Sequence, residues 1–375
     1  MIKKAKKRKT SEKNRDEDII SSLPEHILHH ILSFLPTKDA IKTSALSKTW
    51  NSAWKSFPII IFDQYSFQDS RKHHKNLRKS VKDFCKYVQE SINSRNNGDR
   101  TSIQKFQVTV NFYGRCSLVY RKYLDNWLNF AIENNVKELV LANYRTSGKN
   151  KDNRWRYVLP RSLFRASSLE NLELFGCQFM EYSKLSYNNG ITGFSLKRLK
   201  LSQVYIDQET LQSVLSDCCH LLEQLSIVSC KGFQVVQVSN CPKLEAVDLY
   251  LDRDEVQIVS VLAPNLRSVS YGGGIESVQG SLMGSNKCYE KLKELKLHDT
   301  DITDVFFRVI GEFTGLEKLE INRCCLLENI RICSDGLLEL CVSDCVKLRE
   351  IEFYAPCLRC LRYDGCHMHS FPAGI

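Results

Sequence analysis

Sulfur and imidazole are the side chains with the most chemical potential in this chain of 375 residues, which carries 16 cysteines and 9 histidines. Near its end, Cys357-Leu358-Arg359-Cys360 is followed by Cys366, His367 and His369. Thiolates and imidazoles at such short spacing are the ligand types of a tetrahedral zinc site. Leu358, Leu361 and Cys366 also fit a repeat that runs through the second half of the chain, and that fit puts Cys360 and Cys366 in different environments. His73-His74 has no cysteine or acid at ligating spacing and reads as a solvated loop. Cys218-Cys219 and Cys324-Cys325 are adjacent pairs, unsuited to a relaxed disulfide, and read as packing residues. Gly272-Gly273-Gly274 lacks both a following Lys-Ser/Thr and a dinucleotide-binding spacing, so it reads as a turn. No H-E-x-x-H and no G-x-S-x-G occurs. The chain reads as a non-enzyme with no metal and no cofactor.

The cysteines gain a better explanation from the elements around them. From Val136 onward an apolar residue recurs with apolar partners at +3 and +5, often with Cys at +8. Leu169, Leu172 and Leu174 end at Cys177; Leu222, Leu225 and Ile227 at Cys230; Phe233, Val236 and Val238 at Cys241. Leu316, Leu319 and Ile321 end at Cys324; Leu337, Leu340 and Val342 at Cys345; Leu358, Leu361 and Tyr363 at Cys366. Partial copies begin at Val136, Leu196, Leu244, Leu266, Leu292, Leu327 and Leu348. This is the leucine-rich-repeat pattern, L-x-x-L-x-L-x-x-N/C, in which a short strand points its leucines inward and then turns. A small, weakly polar thiol at the bend can pack and bond to the turn's backbone.

Spacing separates two kinds of outer leg. Leu196 to Leu222 and Leu292 to Leu316 leave room for a helix, with Leu211, Val214 and Leu215 in one gap and Val305, Phe306, Val309 and Ile310 in the other. The series 222–233–244 and 316–327–337–348–358 is tighter, so there the returning leg is expected to be extended. Ahead of the repeats, Leu77, Val81, Phe84, Val88 and Ile92 predict a helix between Lys75 and Asn93, and Ser94 to Arg100 reads as a loop. Phe106, Val108 and Val110 predict a strand, and Leu124, Trp127, Leu128, Ala131 and Ile132 another helix. This segment is expected to cap the first turn of the stack.

A third element precedes these. Leu23, Ile27, Leu28, Ile31, Leu32 and Leu35 paint one broad face of a helix. Ser22 is a candidate cap, Pro24 suits the first turn, and Pro36 stops the helix. Thr37 can cap a second short helix and Ser47 a third that carries Trp50, Ala53 and Trp54. Three short helices cannot hide this much apolar surface on their own. Either the module packs on the next domain or it binds a partner.

Composition bounds the rest. Hydrophobic residues make up 43% and charged residues 26%, as in a soluble globular protein. No run of about 18 apolar residues exists, so no membrane span is expected. Of the net charge of +10, +7 lies between Met1 and Arg15. The body is therefore not the broad basic surface that grips nucleic acid, and nucleic acid is not an expected partner. Lys3, Lys4, Lys6, Lys7, Arg8 and Lys9 read as a nuclear localisation signal, a solvated tail or a nucleic-acid arm. Asp16, Glu17 and Asp18 stand where a secretory signal would need apolar residues, so a nuclear or cytoplasmic, reducing location is expected.

Leu23-Pro24, Ile27-Leu28, Ile31-Leu32, Leu35-Pro36-Thr37-Lys38-Asp39-Ala40, Leu46-Ser47-Lys48-Thr49-Trp50 and Trp54 together resemble an F-box, in order and without gaps over residues 18–58. Thr49 stands where that family usually has Arg. F-box modules dock on the Skp adaptor of cullin–RING ubiquitin ligases. The resemblance implies that Leu23, Pro24, Ile27, Ile31, Leu32, Leu35 and Pro36 supply apolar contacts to that adaptor, while Ser47, Lys48 and Trp50 shape the last turn. An F-box followed by irregular, cysteine-marked repeats resembles the plant F-box/leucine-rich-repeat proteins of the RNI-like type.

The resulting expectation is an α/β architecture. A basic disordered tail (1–17) leads into an all-α F-box (18–60). A linker and cap (61–135) then precede a leucine-rich-repeat solenoid (136–375) with a curved parallel sheet and a mixed helical and extended outer side. No further domain is expected after Cys366. The expected function is that of a substrate-recognition subunit of a Skp–cullin–F-box ubiquitin ligase. The target would sit on exposed strand positions such as Glu170, Asn171, Glu173, Lys197, Arg198, Lys200, Glu317, Lys318 and Glu320. The alternative is a nuclear leucine-rich-repeat scaffold without ligase partners.

Overall fold

The computed structural model describes residues 20–67, 77–95, 102–111, 117–144, 156–180, 195–274, 290–307 and 313–365. The basic tail, His73-His74, Cys366, His367 and His369 lie outside them. The chain divides into two compact units, Met1–Phe57 and Pro58–Ile375.

The first unit holds a single 3-10 turn, Ile20–Ser22, and three short helices: α1 (Glu25–Ser33), α2 (Thr37–Thr43) and α3 (Lys48–Ser56). Ser47 caps α3 as expected, its hydroxyl accepting from the Trp50 N–H at 3.2 Å. The other two caps differ from expectation. Pro24 and Pro36 themselves occupy the cap positions of α1 and α2, Ser22 belongs to the 3-10 turn, and Thr37 is the first residue of α2. A proline fixed near φ −65° launches a helix without needing a side-chain cap. Leu28, Leu32, Ala40, Trp50, Ala53, Trp54 and Phe57 form the core.

The second unit is built on a parallel sheet, with twelve strands among the described residues. They are β1 (Ile59–Asp63), β2 (Lys105–Asn111), β3 (Glu138–Tyr144), β5 (Asn171–Phe175), β7 (Arg198–Ser202), β8 (Gln224–Val228), β10 (Ala246–Tyr250), β12 (Ser268–Gly272), β13 (Glu294–His298), β14 (Lys318–Asn322), β16 (Glu339–Ser343) and β18 (Cys360–Asp364). The +3 and +5 positions of the repeat stack in register: Leu172 on Leu199 on Leu225, and Leu174 on Leu201 on Ile227. These residues are buried, while the alternate positions remain partly open to solvent, because a strand sends successive side chains to opposite faces.

The sheet starts earlier than the expected boundary at residue 136. β1 pairs with β2 and β2 with β3, continuing the same buried ladder through Ile60, Phe106 and Leu139. Long helices separate these first strands, so their common spacing is lost in the sequence. They are α5 (Leu77–Arg95) and α6 (Ser117–Glu133); α4 (Gln64–Phe67) is a single turn.

The covered side of the sheet is mixed. α7 (Gln208–Cys218), capped by Asp207 at 3.0 Å from the Thr210 N–H, buries Leu211, Val214 and Leu215. Where the repeats are tighter, the outer leg is extended: β9 (Val235–Val238) pairs with β11 (Ile258–Val261), and β15 (Asn329–Cys333) with β17 (Glu350–Tyr354). A third short pair is β4 (Tyr157–Val158) with β6 (Cys177–Gln178). Of the helix expected through Val305, Phe306, Val309 and Ile310, the described residues show a 3-10 turn, Asp304–Phe306, leading into helical Phe307; it buries Phe306 and leaves Val305 exposed, and Val309 and Ile310 lie outside the described residues.

The +8 cysteines do what the pattern implies. Cys177, Cys230, Cys241, Cys324 and Cys345 are buried and free. Each thiol bonds the carbonyl two residues back, at 3.3 to 3.6 Å. The residue before each is left-handed: Gly176, Ser229, Asn240, Arg323 and Asp344. Gln203 and Asp299 take the same conformation before Val204 and Thr300, which fill the cysteine slot in their coils. Among the described residues no group of three or more cysteine, histidine or acidic side chains converges as a metal site.

Candidate functional site

In the first unit the single apolar face expected of α1 resolves into two stripes. Leu28 and Leu32, four residues apart, turn into the core, and Leu32 is fully buried. Leu32, expected to meet a partner, packs inside this unit and holds the neighbouring stripe in place. Trp50 is likewise a core residue, 5% exposed, and supports the module from within. The second stripe faces out. Pro24 and Pro36 are exposed, Ile27 is 36% exposed, and Leu23, Ile31 and Leu35 are half-buried. Ser47 is half-buried at its cap and Lys48 is exposed.

Two further apolar residues of this unit are exposed and were not among the expected contacts: Phe34, which ends α1, at 74% and Leu46, in the turn before α3, at 71%. Phe34 lies seven residues after Ile27, two helical turns along, so the helical period alone could have placed it on the same side. His29 locks α1 to α3, with its Nε2 3.1 Å from the Ala53 carbonyl and 3.0 Å from the Ser56 hydroxyl, and its ring meeting Phe57 edge-on. The apolar residues are thus held on a fixed frame.

In the second unit the open face of the sheet carries a groove of about 760 Å³ that extends from β3 to β14. The expected contact positions Asn171, Glu173, Arg198, Lys200 and Glu320 line it, and Lys318 lies on the same face. Glu170, Lys197 and Glu317 do not. Each sits one residue before its strand, on the rim, where Lys197 pairs with Glu170 at 2.7 Å and Lys293 with Glu317 at 2.6 Å. Within the groove Lys200 pairs with Glu173 at 2.9 Å and Lys296 with Glu294 at 3.0 Å.

The middle of the groove went unmarked in the sequence. On β8, β10 and β12 the open-face residues are mostly small: Ser226, Ala246, Ser268 and Ser270. Gly272 is a buried strand residue of β12; the turn expected of the glycine run begins only at Gly273, with φ +146°. Strand spacing near 4.8 Å makes this depression about 10 Å wide. Asp248 stands at its centre, taking a hydrogen bond from the Ser226 hydroxyl at 3.0 Å. Beside it the Tyr250 ring lies 5.5 Å from the His298 ring, tilted by 30°. Burial pushes the Tyr250 phenol up and holds the His298 imidazole below its ordinary value. The groove's polar content is ion pairs, hydroxyls and one aromatic pair.

Sequence comparison agrees with both units. Residues 20–62 match the F-box domain, and residues 96–286 and 282–374 match the family described as At1g61320/AtMIF1, LRR domain. Three relatives come from Arabidopsis thaliana. F-box/FBD/LRR-repeat protein At1g13570 is 32% identical over 81% of this chain and 76% of its own length. F-box/LRR-repeat protein At3g03360 is 29% identical over 67% of this chain and 46% of its own. F-box protein At5g03100 is 28% identical over 67% of this chain and 68% of its own. The chain therefore spans less than half the length of At3g03360.

Proposed function

Because this chain belongs to the F-box/leucine-rich-repeat proteins, we propose that it is the substrate-recognition subunit of a Skp–cullin–F-box ubiquitin ligase. The exposed apolar stripe of the first unit docks on a Skp-type adaptor, and the adaptor joins the chain to a cullin–RING ligase. The open-face groove of the second unit holds the target protein. The chain itself performs no reaction. Tethering raises the local concentration of target lysines at the ubiquitin-charged enzyme.

One observation carries this reading: Ile27 on α1, Phe34 at its end and Leu46 in the turn before α3 remain exposed, although the core is already filled by Leu28, Leu32, Trp50 and Trp54. Apolar anchors at helical spacing are how a helix face is read by a partner's groove. Leu23, Pro24, Ile31, Leu35 and Pro36 extend the contact, and Ser47 and Lys48 shape its far end. The working location is the nucleus, the cytoplasm or both, with Lys3, Lys4, Lys6, Lys7, Arg8 and Lys9 as the nuclear address.

Pull-down of the full chain with a Skp adaptor tests the proposal. The wild type is expected to bind, and Leu23→Asp combined with Ile31→Asp to abolish binding. A wild type that fails to bind, or a double variant that binds unchanged, removes the ligase role and leaves a scaffold.

A further inference from the structure

We infer that the target is recognised through a basic side chain, a lysine or an arginine, seated over Asp248 and against the face of Tyr250. This inference rests on the groove being the target site.

Asp248 carries the argument. One carboxylate oxygen, Oδ2, takes the Ser226 hydroxyl at 3.0 Å. The other, Oδ1, is shielded from water and has no hydrogen-bond partner. No cation pairs with Asp248 among the described residues. The two lysines on its row are committed elsewhere, Lys200 to Glu173 at 2.9 Å and Lys296 to Glu294 at 3.0 Å. Arg198, the remaining cation of the groove, stands on β7, two strands from β10 and so about 10 Å away. A half-compensated carboxylate in a recess, where water screens poorly, favours an incoming cation.

The surroundings fit that cation and little else. Ser226 and Ser270 flank Asp248 in register with small side chains, Ser226 bonding its Oδ2 and Ser270 meeting the Tyr250 phenol. Tyr250 presents an aromatic face next to Asp248, backed by His298, and a cation over such a face gains a further attraction. Glu320, on the same row, is three strands from Asp248 with Lys296 between them, so the charge at this place is that of Asp248. An acidic side chain here would meet a like charge.

A random peptide library displayed on phage, selected on the full chain bound to its Skp adaptor, tests this. Wild-type selections are expected to share one lysine or arginine at a fixed position. Asp248→Asn is expected to weaken the selected peptides about tenfold or more, and Asp248→Lys to select acidic residues at that position instead. Enriched peptides without a shared basic residue, or equal binding to Asp248→Asn, would overturn the inference. Adaptor pull-down of the same variants is a separate readout: its loss in the wild type removes the ligase role, while the peptide preference stands or falls alone.

Discussion

Tyr250 and His298 stack at 5.5 Å across a strand that contributes only hydrogen between them: Gly272, which pairs in register with both. A Cβ at Gly272 would lie 2.8 Å from the Tyr250 Cδ1 and 2.9 Å from the His298 carbonyl oxygen. The first contact can yield by ring rotation, but the second is backbone. Gly272→Ala is therefore expected to displace the Tyr250 ring and to destabilise the second unit by about 1–3 kcal/mol, the usual scale of overpacking. Thermal unfolding reads the stability. A fall in the selected peptides' affinity larger than that of a distant variant of equal stability reads the ring.

The two stripes of α1 are expected to respond differently to substitution. Leu32→Ala removes a fully buried side chain and should cost about 2–5 kcal/mol. Phe34→Asp changes a 74% exposed residue and should alter stability by no more than about 0.5 kcal/mol while sharply reducing adaptor binding. Urea unfolding beside an adaptor pull-down separates the two. Equal stability losses would mean that the stripes have been assigned wrongly.

Thiol reactivity should follow position. Burial pushes the thiols of Cys177 and Cys218 up to about 12 and that of Cys230 up to about 11, whereas Cys325, Cys333 and Cys357 are exposed. The thiolate is the reactive form. Iodoacetamide on the native protein, followed by peptide mass spectrometry, is expected to mark the exposed three first and the buried three only after denaturant is added.

The left-handed residue before each cysteine slot offers a route to stabilisation. Gln203 has φ +53° and is exposed. Left-handed backbone costs a residue with a Cβ roughly 1–2 kcal/mol, against roughly 0.5–1 kcal/mol of extra entropy for glycine. Gln203→Gly is expected to raise stability by the difference, about 0.5–1 kcal/mol, in chemical denaturation.

Acid should weaken the protein partly through His298. Its imidazole is held below the ordinary value, first by burial, although the Glu320 carboxylate pulls the other way. A base whose pKa is lower when folded takes up its proton more readily when unfolded, so stability is full above about pH 6.5 and declines as the pH falls below it. His298→Gln should flatten that part of the stability profile relative to wild type. An unchanged slope would show that the group lies in water.

Much of this fold could be read from the chain because its repeat marks both what is buried and what is not. Leu169, Leu172 and Leu174 fix a strand, and Asn171 and Glu173 must then face the other way. Thiol slots such as Cys230 follow from the same count. What could not be read depends on neighbours distant in sequence. Asp248, Tyr250 and His298 converge only through the register of β10, β12 and β13, and the glycine between them looked like a bend because its run continues into Gly273 and Gly274. Ile59-Ile60-Ile61-Phe62 is apolar throughout, so no alternation showed that it opens the sheet. On α1, Ile27 and Leu28 are equally apolar neighbours, and only the packing of α3 decides which one turns inward.

The rim beside the strands has a consequence for how such a chain can change length. Lys137, Glu170, Lys197 and Glu223 follow one another along successive coils, each N–H bonded to the carbonyl before it, and Glu170 holds a lysine on either side. Excising the single coil that starts at Lys197 would set Glu170 against Glu223, exchanging an attraction for a repulsion of up to about 1 kcal/mol. Removing the Glu170 and Lys197 coils together would instead set Lys137 against Glu223 and keep an attraction. In this stretch, growth or shrinkage by even numbers of coils is electrostatically the smoother course.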